Sequence, residues 1–179
     1  GNCPSDNSNP LVVNAPQTIN MPESELCIGE TMTLLPSSGG TWTVVYDTVA
    51  TVVGALVTAV GEGLTAFNYV DANGCASTTS AQLQVNPRPN VNINVDNVCV
   101  GLTSQANPTT GGSWISNDPD IATINNNGLI TALSPGTTTF VYTSSLTTCS
   151  SNPTETFTVE PGPIISYSGD STLCIGETA

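Results

Sequence analysis

The chain has 179 residues, of which 14 are acidic and only one, Arg88, is basic, and it has no histidine. The missing imidazole and lysine exclude a Ser-His-Asp or Cys-His catalytic arrangement and a Schiff base. A net charge of −13 repels nucleic-acid phosphates and anionic membrane surfaces. No apolar run reaches the roughly 20 residues of a membrane helix. The composition therefore predicts a chain that is not an enzyme, binds no nucleic acid and does not insert into membranes.

The remaining composition favours strands. Apolar residues make up 38% of the chain, and most of the rest is Thr, Ser, Asn, Gly and Pro. Thr with Val and Ile favours strands, whereas Asn, Gly and Pro favour turns. Six cysteines at regular spacing in such a chain indicate disulfides and an extracellular, cell-surface location. Reduced, buried thiols are the alternative.

The chain repeats itself with a period of about 72 residues. The hexapeptide 26–31, Leu-Cys-Ile-Gly-Glu-Thr, returns at 173–178, with a looser copy at 98–101. Its cysteines are spaced by 99 − 27 = 72 and 174 − 99 = 75 residues, and Cys3, Cys75 and Cys149 form a second series. A tandem array is therefore predicted. Its parts are the last strand of a preceding repeat (1–17), two whole repeats (18–89 and 90–163) and the first strand of a following repeat (164–179).

Short strands separated by turns fill both whole repeats. In the first repeat we predict strands at 41–46, 49–53, 55–60, 64–69 and 81–85. In the second we predict strands at 103–106, around Trp114, at 121–124, 129–133, 138–142 and 156–159. Asn127-Gly128 predicts a two-residue hairpin. Turn signals every 8–12 residues are typical of a β-sandwich.

The repeated aromatic residues are predicted to fill the two cores. Trp42 and Trp114 are 72 residues apart and stand on strands. The other repeated pairs are Phe67 with Phe140 and Tyr69 with Tyr142. Sugar-stacking platforms are the alternative interpretation of the two tryptophans. Burial is favoured, because a sandwich core needs large apolar side chains.

The second repeat resembles the bacterial immunoglobulin-like group 2 domain. The resemblance is carried by Trp-Ile-Ser-Asn-Asp-Pro-Asp-Ile-Ala-Thr-Ile at 114–124, Asn-Gly-Leu-Ile-Thr-Ala at 127–132 and Pro-Gly-Thr-Thr at 135–138. The first repeat keeps Gly-Glu-Thr, Trp and Ala-Thr-Val but has Val-Val-Tyr-Asp at 44–47 in place of the family's Ser-Asn-Asp-Pro loop. The added cysteines look like repeats of very large secreted adhesins of gliding bacteria, of the SprB type. The resemblance implies tandem immunoglobulin-like β-sandwiches that are extracellular, non-enzymatic and used for stalks and attachment.

Two disulfide patterns are open. The usual one closes each repeat on itself, as Cys27–Cys75 and Cys99–Cys149. In an immunoglobulin-like topology, however, the first and last strands run the same way, so these partners lie at opposite ends of a domain. Strands of six to seven residues separate them by roughly 20 Å, and a disulfide spans Cα atoms at most about 7 Å apart. We therefore favour a bond between domains, Cys27–Cys149, in an extended rod with short proline joints (Pro87, Pro89, Pro161, Pro163).

Two further kinds of site are weaker candidates. No cofactor is predicted. Calcium is the most plausible ligand, because carboxylates suit a hard cation, and its candidates are Asp118 with Asp120, and Asp71 with Asn73. Neither pair has the carboxylate density of an EF-hand loop, and Asp118-Pro119-Asp120 is equally typical of an ordinary turn. Asp-Thr-Val at 47–49 and Asp-Ser-Thr at 170–172 resemble a bacterial O-glycosylation signal, which would modify Thr48 and Ser171.

Two functions are compatible with these observations. In the first, the repeats are stiff spacers of a long surface adhesin or filament, rigidified by disulfides and used in attachment or gliding. In the second, they are adhesive modules that bind glycan or protein and should expose clustered aromatic side chains. The expected partners are neighbouring repeats, surface glycans or other fibre chains.

Overall fold

A computed structural model describes residues 13–164 and residue 166. The chain divides into two compact units, Gly1–Arg88 and Pro89–Ala179. Across the described ranges every regular element is a strand, and no helix there could cross a membrane. The strands predicted within 1–17 and 164–179 fall largely outside the described residues.

Within the described residues, eight strands form the first unit and nine form the second. The strands of the first unit are β1 Glu25–Cys27, β2 Thr31–Thr33, β3 Gly40–Val44, β4 Ala50–Val53, β5 Leu56–Ala59, β6 Gly63–Thr65, β7 Phe67–Asp71 and β8 Leu83–Asn86. Those of the second are β9 Asn92–Ile93, β10 Asn97–Cys99, β11 Thr103–Asn107, β12 Gly112–Ser116, β13 Ala122–Ile124, β14 Leu129–Ala132, β15 Gly136–Thr138, β16 Phe140–Ser144 and β17 Phe157–Glu160.

Each unit is an immunoglobulin-like sandwich of two layers. In the first unit one layer has the strand order β2-β5-β4, and the other contains β1-β8-β6 and β3-β7. Only Ala66 separates β6 from β7, so one strand path pairs first with β8 and then with β3. The second unit repeats this plan with β9-β11-β14-β13 facing β10-β17-β15 and β12-β16. The predicted all-β, immunoglobulin-like sandwich is confirmed.

The first and last strands of each unit run parallel to each other. In β1 and β8 the register places Cys27 beside Asn86, and in β10 and β17 it places Cys99 beside Glu160. All other strand pairs are antiparallel. The parallel pair sets the direction in which the chain enters and leaves each sandwich.

The repeated aromatic side chains are buried between the layers, and the two tryptophans are 6% and 4% exposed. In the first core Trp42 lies 4.9 Å from Tyr69, centroid to centroid. In the second core the Trp114–Tyr142 distance is 5.1 Å, and Phe140 also packs edge-on against Phe157. Such aromatic pairs stabilise a core beyond the area that they bury.

The same two hydrogen bonds hold the Trp–Tyr pair in each unit. The indole N–H of Trp114 donates to the carbonyl oxygen of Pro108, and the Tyr142 hydroxyl donates to that of Thr110. The first unit has the same two bonds, from Trp42 to Pro36 and from Tyr69 to Ser38. The polar ends of both rings are therefore satisfied inside the sandwich, as burial requires.

The glycine pair before each tryptophan has a steric reason. Gly111 has a φ of 87°, a value that L side chains rarely adopt. A Cβ on Gly112 would lie inside contact distance of the Thr143 carbonyl oxygen and 2.6 Å from Tyr142 Cζ. Gly39 and Gly40 repeat both features in the first unit. Backbone and ring thus approach so closely that only glycine fits.

Three sequence predictions differ from the structure in detail. The predicted strands 64–69 and 138–142 are each divided, at Ala66 and Thr139. The hairpin at Asn127-Gly128 forms, but as a longer loop. The Gly128 N–H donates to Asn125 O, and only the glycine has positive φ. A two-residue type I′ turn needs positive φ at both positions. The side chain of Asn125, which accepts from the amides of Asn127 and Leu129, stabilises the wider loop instead.

Gly112→Ala tests the steric account. We expect it to lower the free energy of unfolding of the second unit by about 2 kcal/mol or more, because the obstructing oxygen belongs to the backbone and overpacking commonly costs about 1–3 kcal/mol. Hydrogen exchange of the β16 amides would measure the loss. Gly162→Ala is the matched control, because its Cβ meets nothing within 4 Å. Equal exchange in the two variants would contradict the account.

Candidate functional site

The first described cysteine of each unit, Cys27 or Cys99, stands at the start of a tight turn. In the first unit the Glu30 N–H donates to Cys27 O at 2.9 Å, and Gly29 has a φ of 91°. Positive φ at the third turn position is the requirement of a type II turn. The Glu30 carboxylate also accepts from the Cys27 N–H at 2.9 Å. These bonds explain the Cys-x-Gly-Glu order and hold Cys27 in place.

Cys99 occupies the equivalent turn in the second unit. The Leu102 N–H donates to Cys99 O, and Gly101 has a φ of 85°. Gly101 also donates to Ala132 O on β14, as Gly29 donates to Ala59 O on β5. Leu102 replaces Glu30, so the carboxylate bond is absent at this copy. The backbone position of the cysteine is nevertheless the same.

The second cysteine of each unit ends the hairpin that leads to the last strand. In the first unit the Asp71 N–H donates to Cys75 O, and the Cys75 N–H donates to Asp71 Oδ1 at 2.9 Å. The same carboxylate oxygen accepts from Asn73 N–H at 2.9 Å, and Gly74 has a φ of 83°. Asp71 is thus a buried turn residue that fixes the place of Cys75.

The hairpin of the second unit is one residue longer and has no glycine. The Ser144 N–H donates to Cys149 O, and the Thr148 N–H donates back to Ser144 O. Thr148 takes the place of Gly74 with a φ of 58° and is the one non-glycine residue with positive φ in the described chain. A β-branched residue in this region is strained. The strain lies directly before Cys149.

The two described cysteines of one unit lie at opposite ends of its sandwich. Gly63 pairs with Val85, next to the Asn86 that flanks Cys27. The strand path from Gly63 to Asp71, beside Cys75, advances 71 − 63 = 8 residues, or about 26 Å at about 3.3 Å per residue. The second unit gives the same span from Gly136 to Ser144. A disulfide spans Cα atoms only up to about 7 Å apart.

The contacts of the chain segments at each end agree with this placement. The Arg88 Nε–H donates to Ile28 O at 2.8 Å, so the segment that leaves the first sandwich lies beside Cys27. At the other end the Cys75 thiol lies 3.8 Å from the carbonyl oxygen of Asn14, in the segment that leads in. Each cysteine therefore marks one end of its unit.

The four described cysteines are in two different states. Cys27 and Cys149 are disulfide-bonded, whereas Cys75 and Cys99 are free thiols. The intradomain pairs Cys27–Cys75 and Cys99–Cys149 are therefore absent from the structure, because each pair needs one of the free thiols. The Cys27–Cys149 bond stays a prediction and is taken up below.

The calcium candidates are occupied by turn hydrogen bonds. Asp118 Oδ1 accepts from the Asp120 N–H at 3.2 Å, and Asp71 Oδ1 accepts from two amides. Across residues 13–164 and 166, no three His, Cys, Asp or Glu side chains come together in a way that could hold a metal ion. A calcium site stays a prediction without further support.

The glycosylation candidates differ in what can be said of them. Thr48 lies in an exposed turn between β3 and β4, so its hydroxyl is accessible. Ser171 lies outside the described residues. Modification of either residue stays a prediction.

Part of the chain matches a known family model. Residues 81–148 match the model described as bacterial Ig-like domain (group 2). The match runs from β8 through β16 and so covers most of the second unit but less than half of the chain. No curated protein sequence matches the chain. The family resemblance of the second repeat is thereby confirmed over these residues.

Three solved structures illustrate what the chain is similar to. Invasin, a bacterial integrin-binding protein, is 13% identical with a TM-score of 0.50, over 80% of this chain and 38% of that chain. A C-terminal intimin fragment in complex with the Tir intimin-binding domain is 14% identical with a TM-score of 0.46, over 81% and 63%. A Bacteroides ovatus glucan-utilization protein, SGBP-B, is 15% identical with a TM-score of 0.29, over 86% and 47%.

The chain spans less than two thirds of the solved length of each of these proteins. At such low identity the likeness to invasin concerns the fold alone. It supports the fold described above for the two units.

Two residues hold the site in ways that were not predicted from sequence. One is Thr148, whose positive φ has no glycine or asparagine to signal it. The other is Asp71, whose carboxylate accepts amides of the Cys75 turn. The spacing of Asp71 four residues before Cys75 is a signal that could have indicated the bond, because Asp side chains commonly accept amides a few residues further on.

Thr148→Gly tests the strain beside Cys149. We expect the second unit to gain about 1 kcal/mol of stability, because a non-glycine residue with left-handed φ costs about 1–2 kcal/mol. Thr147→Gly, next along the chain, should instead lose about 0.4–1 kcal/mol through added freedom in the unfolded state. Amide exchange in β16, with the disulfide intact, measures both. A loss of stability in Thr148→Gly as large as that in Thr147→Gly would show that no strain is stored there.

Proposed function

We propose that these units are stalk modules of a long extracellular adhesin or filament, with a Cys27–Cys149 disulfide across the joint between them. The function of the modules is then mechanical: they hold an attachment site away from the cell surface. The resemblance to adhesin repeats of gliding bacteria makes attachment or gliding the process served.

One observation carries the proposal. The two disulfide-bonded cysteines, Cys27 and Cys149, each stand at an end of a sandwich, about 26 Å along the strand path from the other cysteine of that unit. That other cysteine is a free thiol in both units. Disulfides at the ends of domains restrict movement at a joint, whereas disulfides inside domains would stabilise each sandwich alone.

The joint itself favours a stiff connection. The last strand β8 ends at Asn86, and Pro87 and Pro89 follow. Proline fixes its own φ and restricts the residue before it, so few backbone conformations remain open between the units. The net charge of −13 keeps neighbouring chains soluble and apart.

The adhesive and enzymatic alternatives find less support. Of the aromatic residues in the described ranges, only Tyr46 is exposed, so no aromatic cluster is available for stacking on a sugar. No acidic or thiol cluster that could hold a metal ion occurs there either. We therefore place the binding function of the larger protein outside these two units.

A cut at the joint tests the disulfide directly. Arg88 is the only basic residue of the chain, and Pro89 protects the bond after it from trypsin. In a Pro89→Ala variant, trypsin should cut once and leave residues 1–88 and 89–179. With thiols blocked and no reductant, we expect the two fragments to migrate together on a denaturing gel and to separate after reduction.

Single cysteine variants assign the bond. In the Pro89→Ala background, Cys27→Ser and Cys149→Ser should each release the fragments, whereas the matched Cys75→Ser and Cys99→Ser should not. Pairs formed instead with Cys3 or Cys174 would keep the fragments joined in at least one of the first two variants. Release of the two fragments from the Pro89→Ala chain with all its cysteines intact and no reductant would contradict the cross-link.

The stiffness of the joint is a separate prediction. Spin labels on one exposed residue of each unit, such as Thr41 and Ser113, should give a narrow distance distribution in the oxidised chain. Reduction or Cys27→Ser should broaden it, because the joint then depends on a short linker alone. Cys99→Ser should leave the width unchanged. An equally broad distribution in every form would exclude a rigid stalk.

A further inference from the structure

Two free thiols occupy positions whose counterparts are disulfide-bonded. Cys99 stands in the same kind of turn as Cys27, which is disulfide-bonded, and its strand likewise pairs in parallel with the last strand of its unit. Cys75 ends the same hairpin as Cys149, which is also bonded. Among the four described cysteines, each kind thus occurs once in a disulfide and once as a thiol.

Three aliphatic side chains on and beside the turn of Cys99 are exposed, whereas Glu160 lies beside Cys99 on the neighbouring strand. Val100 and Leu102 in its turn are 37% and 55% exposed, and Leu133, which follows the Ala132 that bonds to that turn, is 45% exposed. The corresponding turn of the first unit has the charged Glu30 where Leu102 stands. An exposed group of three aliphatic side chains around a thiol favours cover by another surface.

We propose that Cys99 forms a disulfide with the hairpin cysteine of a further immunoglobulin-like domain of this chain, and that this domain covers Val100, Leu102 and Leu133. The occupant follows from the sequence, because the hexapeptide of residues 26–31 begins again at 173–178 and so opens another copy of the repeat. The cysteine of that domain that pairs with Cys99 is the hairpin cysteine, which is equivalent to Cys149. The inference rests on the proposed function, since it extends the same linkage to the next joint.

The chemistry needs an external disulfide as oxidant. The Cys99 thiolate attacks one sulfur of that disulfide, forms a mixed disulfide and releases one thiol. The hairpin thiolate of the next domain then attacks the Cys99 sulfur, forms the interdomain bond and releases the second thiol. The two protein thiols lose two electrons and two protons in total, and the oxidant gains them.

An extended chain tests the proposal. Residues 164–179 are replaced by a second copy of residues 90–163, which supplies a complete third domain. In the copy, Cys99→Ser leaves one cysteine, and Thr147→Ser marks its peptide by mass. The chain is oxidised with a glutathione mixture, blocked with a thiol reagent and digested with pepsin at low pH, where disulfide exchange is slow because thiolate is scarce.

We expect Cys99 to be recovered in a disulfide with Cys149 of the copy. The fraction of Cys99 that reacts with the blocking reagent should fall about tenfold or more relative to the original chain, because structural disulfides resist reduction by the glutathione pool. Cys149→Ser in the copy is the matched control and should restore the reactivity. Amide exchange at Leu102 and Leu133 should slow in the extended chain as the surface is covered.

Cys99 recovered as a thiol, or joined to any other cysteine, would overturn the proposal. The same digest reports Cys27 and Cys149 of the original domains, so the two proposals are read independently. Should the copy fail to fold, as judged by its strand signal in circular dichroism, an extension with residues 18–89 and its Cys75 decides the question in the same way.

Discussion

The parallel pairing of the first and last strands is the constraint on which the rest of each unit depends. Because β1 and β8 run in the same direction, the turn that follows β1 lies at the end where the chain leaves the sandwich. The hairpin that precedes β8 lies at the opposite end. A cysteine in each of these turns is therefore unable to reach the other, and the topology places one of them at each end of the sandwich.

Hydrogen bonds then hold these cysteines in position. Cys27 is bonded through its own backbone to Glu30, and Cys75 is bonded in the same way to Asp71. A disulfide requires Cβ atoms about 3.5–4.5 Å apart in a defined orientation. Because hydrogen bonds already order these turns, the cysteines lose less conformational entropy when a disulfide forms.

Much of this architecture was predictable from local patterns, and the exceptions have physical causes. The 72-residue period, the turn glycines and the alternation around Trp114 and Phe140 each indicate a sandwich, because strands select alternating apolar residues and positive φ selects glycine. The breaks at Ala66 and Thr139 select no particular residue type, since they arise where a strand changes partners between sheets. The strain at Thr148 is likewise imposed by the hairpin and contradicts the residue's own preference. The opposite placement of the two cysteines was predictable once the topology was assumed, whereas local sequence gives no sign of which cysteines are oxidised, since Cys27 and Cys99 occupy equivalent turns.

The parallel terminal strands have a mechanical consequence for a chain that is pulled from its two ends. Tension applied through the segments before β1 and after β8 draws these strands past each other along their length. The bonds at Glu25, Leu26 and Cys27 are then loaded together, in shear. An antiparallel terminal hairpin would open one hydrogen bond at a time under the same pull. In the parallel arrangement the hydrogen bonds share the load, so the terminal strands alone make each domain resist extension.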